Sequence, residues 1–577
     1  MKQLRSTHIL ILLLIIQVLK SPGVSGQLSP FDPDVYREAS LIKEHVEVFT
    51  DRSIYAVNEY INFRADLVVE GVPEGRMWSS ILYVELVSTI GTSMAKAKFD
   101  FSDQACYGML PIPASALTGN YFLKCYTRWM RNAGPENFSY TPLKIINPFR
   151  SEVVNHTTSG GETGLQYARR EYVTGLLECA IPETSYEKGE EIRLELSVPE
   201  NKHLQKVQCC ITVVPLDAVD TLKGQLTAIG ELVDRDQFMV QFLPDLWGPS
   251  ISGTVVRTDE NDSPAQKTKL HFSLLGNQPD YFATITDAFG KFVVSIPART
   301  GLQELIVTPE VAGDGLAEVR IDQDFDEGFP PVPAVPFTLS AGEREVATQM
   351  VRKMQLSEAF KMPDSPEVVQ VDTVPAPFYG TAIHSIVLDD FIDLPTLKEV
   401  FINLVSPVTV VKRKNSTTLM IHSDNPTSKL YNSLIMVDQI PVFDQGKLIS
   451  IAPEKISRID VINDVYVKGS MTYGSVINIV TREGDMAGID LPAGSYFFDY
   501  LAIQPAIKPI EMIPAPGDQV PDLRNTLLWI PDLLLERGIA MDITFKAPAY
   551  PGEYVVLVRC MARPGEVLSV TTRFVVE

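Results

Sequence analysis

The chain is poor in the residues that most often carry chemistry. Its 577 residues include six cysteines and seven histidines. The histidines (His8, His45, His156, His203, His271, His384 and His422) are scattered, with no HExxH and no i, i+4 pair. No helix face therefore carries a ready-made zinc or proton-transfer site. No CxxC or His/Cys cluster offers zinc spacing. A Gly-x-Ser-x-Gly elbow and a phosphate-cradling glycine loop are both missing. No catalytic, cofactor-binding or metal-binding residue is assigned, no cofactor is expected, and the chain reads as non-enzymatic. Positive charge is also short: 50 Lys+Arg stand against 72 Asp+Glu, a net charge of −22. This argues against nucleic acid, which needs a basic face. It also argues against electrostatic binding to anionic lipid, leaving peripheral membrane association at most.

Long apolar runs are absent except at the N-terminus. Lys2 and Arg5 precede an apolar run from Ile9 to Leu19, and small residues follow at Ser25 and Gly26. That is the layout of a cleaved secretory signal over 1–26. The run is shorter than the roughly 20 residues a spanning helix needs. An exported mature chain starting near Gln27 is expected, with an uncleaved anchor as the alternative. Export permits disulfides. Cys106 and Cys125 fall in one strand-rich region and are the first pair expected to bond, with buried free thiols the alternative. Cys209 and Cys210 are adjacent, so on a strand only one is expected to face the core.

What the chain does have is turns. With 41 prolines and 35 glycines, nearly everything after residue 40 alternates apolar and polar in short runs between turn residues. This is the pattern of β-sandwiches. Helices are expected only over 33–44, 341–360 and 394–404, the second inside a linker at 330–375. An internal repeat aligns Tyr55, Glu59, Ile61, Phe63 and Ala65 with Tyr186, Glu190, Ile192, Leu194 and Leu196 at one constant offset. Two similar sandwiches in tandem is the simplest account.

Three resemblances and a terminal strand pattern give the expected domains. "FTDRSIYAVNEYINFRADL", through Thr50, Asp51, Arg52, Tyr55 and Glu59, resembles the opening of a macroglobulin-like (MG2) domain. Asn58 stands where glycine is usual, a substitution that positive φ tolerates. The resemblance implies macroglobulin-like domains at 44–148 and, more faintly, 172–243. No cysteine is followed by Gly-Glu-Gln, so a thioester is excluded. "ISGTVVRTDENDSPAQKTKLHFSLLG" with "FATITDAFGKFVVSIP" resembles a carboxypeptidase regulatory-like, transthyretin-type sandwich over 249–325, its hairpin marked by Thr286, Asp287, Gly290 and Phe292. Four ordered blocks over 376–490 resemble the plug domain of TonB-dependent receptors: "DFIDLPTLKEVFINLVSPVTVVKR", "LIMVDQIPVFD", "LISIAPEKISRIDVIND" and "YGSVINIVTREG". In the second block Gln439 replaces the usual glycine. A terminal β domain is expected at 515–577, with Trp529, Ile543, Phe545, Tyr554 and Val556 on its buried face. The residues after Gly484 are too few for a closed transmembrane barrel.

The expected fold is mainly β: tandem macroglobulin-like and transthyretin-like sandwiches, then a small α+β plug-like domain and a C-terminal β domain. A plug without a barrel implies an adaptor that docks an outer-membrane barrel or envelope complex, in the periplasm or on the outer membrane of a Gram-negative cell. Lys412, Arg413 and Lys414 stand out in an acidic chain as candidate partner contacts, against the plainer reading of a charged β-turn. "DQDFDEG" (322–328) mimics a calcium loop but lacks its spacing, which favours a solvated acidic linker. The alternative function is thioester-less protease binding, with 149–170 as an exposed bait segment.

Overall fold

The computed structural model describes residues 42–71, 78–101, 105–154, 166–200, 204–221, 223–229, 240–258, 262–276, 279–297, 299–310, 317–330, 336–359, 367–368, 377–413, 416–505, 507–508, 521–563 and 566–577. The expected signal at 1–26 lies outside them. No helix among the described residues is long and apolar enough to cross a membrane. The fold is mainly β, arranged as three sandwiches and a fourth, mixed module.

The first sandwich begins where the helix expected over 33–44 would have ended. Lys43 and Glu44 already belong to the strand Lys43–Thr50, which pairs in antiparallel register with Tyr60–Glu70. Alternation of Val46, Val48, Ile61, Phe63 and Ala65 puts one face of this pair into the core. That face meets a second sheet of order Ser93–Asp100, Ile81–Ser88, Gly119–Tyr126, Ser139–Ile146, Lys223–Ile229, Gln166–Glu171. Aromatic contacts fill the space between the sheets. Phe63 meets Phe99 edge-on at 4.9 Å, and Tyr126 stacks on Phe138 at 4.3 Å. The last two strands come from beyond the expected boundary at 148.

The second sandwich departs further from the expected division. Its smaller sheet has the order Glu178–Ala180, Glu191–Ser197, Met541–Lys546. Its larger sheet runs Ser185–Tyr186, Glu566–Val576, Gly552–Arg563, Lys206–Pro215, Leu528–Glu536. The segments expected as separate domains at 172–243 and 515–577 therefore supply two halves of one fold around one core. Period-two alternation tells a strand which face to bury. It does not name the neighbouring strand.

The third sandwich repeats this return. Ser250–Arg257, Lys291–Ser295 and Ala317–Ile321 form one sheet. Asp280–Ile285, Lys269–Leu274, Leu302–Glu310 and, after a gap in sequence, Tyr496–Leu501 form the other. The fourth module lies inside that gap. Its sheet has the order His384–Val387, Ile456–Ile462, Val476–Thr481, Leu434–Val437, Ile440–Pro441. The helices Leu397–Asn403 and Gln445–Ile449 and the hairpin Val408–Arg413/Ser416–Ile421 accompany it. Thr396 caps the first helix by accepting from the Glu399 N–H. The chain is thus nested: the fourth module interrupts the third sandwich, and both interrupt the second.

The long helix Ala341–Ala359 is more than a connector. Val346, Ala347 and Met350 bury against Ile54 and Ala56 of the first sandwich and Val214, Val555 and Leu557 of the second.

Candidate functional site

The Thr50–Glu59 motif builds a buried joint. Asp51 is fully buried, and its carboxylate accepts from Tyr55 Oη at 2.7 Å, Asn62 Nδ2 at 3.1 Å and Thr526 Oγ1 at 2.6 Å. Glu59 accepts from Arg52 Nη1 at 3.3 Å, from the Ala56 N–H at 2.6 Å and from Asn525 Nδ2. Arg52 lies 4.4 Å from the Tyr55 ring centroid. Asn58 takes a positive φ of 65°, as expected for a residue in glycine's place. Beside this cluster, Arg64 pairs with Asp66 at 2.6 Å and donates to the Pro531 carbonyl at 2.8 Å. The motif fastens the first sandwich to the chain returning toward the second.

The acidic loop at 322–328 forms a second joint. Asp324 is held by the fully buried Lys98, whose Nζ also donates to Tyr500 Oη at 2.8 Å. Burial pushes the Lys98 amine below its ordinary value, while Asp324 pulls it the other way. Arg131 pairs with Asp326 at 3.3 Å, and Asp322 accepts from Ser252 Oγ at 2.5 Å. Phe325 buries against Tyr83. The expected solvated linker is therefore corrected: Asp322, Asp324 and Asp326 are engaged by cations and hydroxyls of two sandwiches, while Glu327 stays exposed.

A third joint carries the fourth module. Glu310 Oε2 lies 3.4 Å from His271 Nε2, His271 Nδ1 lies 2.6 Å from Tyr281 Oη, and Tyr281 Oη lies 2.6 Å from Tyr473 Oη. This acid–imidazole–hydroxyl order is the order of a proton relay. Here it ends on Tyr473, which is buried in the packing between the third sandwich and the fourth module. Burial holds the His271 imidazole below its ordinary value, against the Glu310 carboxylate, which pulls it up. Ser273 Oγ donates to the Gln439 carbonyl at 2.8 Å across the same boundary.

The residues singled out by sequence fall elsewhere. Lys412 is exposed on the hairpin Val408–Arg413/Ser416–Ile421. Arg413 ends that strand, and Lys414 lies outside the described residues. Cys106 and Cys125 face one another's core from opposing sheets, and both are free thiols. Cys209 enters the core of the second sandwich, directly across from Cys560. Cys210 points the other way but is equally buried, against Phe49 of the first sandwich. Of the bait segment, 155–165 lies outside the described residues. Sequence reasoning missed Lys353, although it continues the helical apolar stripe Val346, Met350 at i, i+4, i+7 spacing.

Exposed apolar side chains mark the fourth module. Ile392 is 83% and Leu430 76% exposed, and Ile383, Ile402, Met420 and Val467 also face solvent. Among the described residues its strand His384–Val387 is a sheet edge, paired with Ile456–Ile462 on one side only.

No known protein family and no curated protein matches the chain. Among solved structures, trypsin-activated alpha-2-macroglobulin from Escherichia coli aligns over 92% of this chain and 41% of its own length, at 8% identity and a TM-score of 0.22. Salmonella alpha-2-macroglobulin reacted with methylamine aligns over 92% and 39%, at 11% identity and a TM-score of 0.22. A tetra-tandem repeat from the extending region of a large adhesion protein aligns over 93% of this chain at a TM-score of 0.12. The chain spans about two-fifths of the macroglobulins' length. At these scores the alignments carry no argument about mechanism, and the β-sandwich character is read from the strands themselves.

Proposed function

We propose that this chain is a non-enzymatic binding protein of the cell envelope that presents its fourth module to an outer-membrane barrel complex. The observation that carries this reading is the concentration of solvent-facing apolar side chains, led by Ile392 and Leu430, on a module with an open sheet edge. Exposed apolar groups and unpaired edges are both features of protein-contact surfaces. The plug-like sequence blocks lie in this same module, which makes a barrel the partner of choice. The exposed Lys412 on the neighbouring hairpin adds a cationic contact in an acidic protein. The three sandwiches act as the rigid arm, locked by the buried joints. No metal or cofactor enters this reading.

The test is crosslinking in cells followed by detergent pull-down of the full chain and of an Ile392→Asp/Leu430→Asp variant. Both side chains are exposed, so melting should be unchanged. Recovery of a barrel by the parent chain and its loss from the variant support the reading. Equal recovery by both, or recovery of soluble proteases alone, overturns it.

A further inference from the structure

Between the long helix and the first sandwich lies a cavity of about 580 Å³, walled by Glu59, Ile112, Met350, Lys353, Met354 and Ser357. That volume is typical of small-molecule sites, which run to roughly 300–1,000 Å³. Lys353 is 4% exposed, and its Nζ donates to the Arg524 carbonyl at 2.6 Å. The ring centroid of Tyr550 stands 4.9 Å away. An ammonium has three donors, and this hydrogen bond uses one.

The charged groups around the amine are already engaged. Asp522 is forked by Arg524 at 2.9 and 2.8 Å. Glu59 is held by Arg52, the Ala56 N–H and Asn525. Among the described residues no carboxylate lies within ion-pair distance of Lys353. A buried cation without a direct counter-ion is costly, and an anion entering the cavity would relieve that cost. Two methionines beside it offer a soft, adaptable apolar wall.

We propose that this cavity binds a small monocarboxylate with an apolar tail, the carboxylate on Lys353 Nζ and the tail against Met350, Met354 and Ile112. The inference is independent of the envelope-docking reading. Burial pushes the amine down to about 8, with Asp522 and Glu59 raising it and Arg52 and Arg524 lowering it. The amine is therefore charged at pH 7, and binding weakens as pH rises through that value.

The experiment is calorimetric titration of the full chain with octanoate and, separately, with octanol. At pH 7 octanoate should bind one per chain and at least tenfold tighter than octanol, in line with a charge-assisted hydrogen bond. Lys353→Met should abolish that preference. Ser357→Phe, which fills the cavity from the same helix without touching the amine, should weaken octanoate at least tenfold. Should Lys353→Met not fold, the parent chain decides by pH: octanoate binding that falls between pH 7 and 9.5 supports the assignment. Equal binding of octanoate and octanol, octanoate binding unaffected by Lys353→Met, or a flat pH dependence overturns it.

Discussion

Asp51 and Thr526 are 475 positions apart in the chain, and their side chains share a hydrogen bond of 2.6 Å. The contact joins the start of the first sandwich to the segment that leads back into the second. Hydrogen bonds to a charged group are worth about 1.5–3 kcal/mol. Thr526→Val should therefore lower stability by that amount in denaturant unfolding. Asp51→Ala should cost more, because Tyr55, Asn62 and Thr526 all lose their acceptor at once.

The nested path predicts an unusual truncation phenotype. Removing 528–577 takes away the strands that flank Lys206–Pro215 on both sides and one of the two partners of Glu191–Ser197. Limited proteolysis of the truncated chain should cut within 178–215, far from the new terminus, while Lys43–Thr50 and Tyr60–Glu70 stay protected. A tail-like domain would give no new cuts there.

A buried acid makes stability depend on pH. Burial raises the Glu44 carboxyl to about 7, against hydrogen bonds from Thr127 and Ser79 that lower it. Between its ordinary value near 4.5 and 7 the folded chain holds this proton more tightly than the unfolded one. The stabilisation is complete below about 4.5 and is lost as pH rises through 7. Glu44→Gln, which stays neutral, should melt close to the parent at pH 4.5 and higher at pH 8. Parallel melting curves across that range would contradict this.

The turn Asp438–Gln439 joins Leu434–Val437 to Ile440–Pro441 with both residues at positive φ, 49° and 65°. Gln439 is buried there, and its Oε1 has no partner among the described residues. Gln439→Gly removes the left-handed cost of about 1–2 kcal/mol and the orphaned oxygen, so it should raise the melting temperature of the fourth module. The opposite holds at Gly474, where a Cβ would stand 2.1 Å from the Ser428 carbonyl oxygen. Gly474→Ala should destabilise the module by at least about 1–3 kcal/mol, read as faster hydrogen exchange over Ile456–Ile462.

The sequence by itself determined the local structure: alternating strands, turns, the helix from Ala341, and the tolerance of positive φ at Asn58. These follow from side-chain period and backbone sterics, which act over a few residues. Only the tertiary structure decided which strands share a sheet. Leu528–Glu536 beside Lys206–Pro215, and Tyr496–Leu501 beside Leu302–Glu310, are pairings between strands far apart in the chain. The same distance hid the roles of Lys98, Lys353 and Asp324. A charged side chain reads as solvated from its neighbours in sequence, and its partner or burial exists only once remote strands have closed over it.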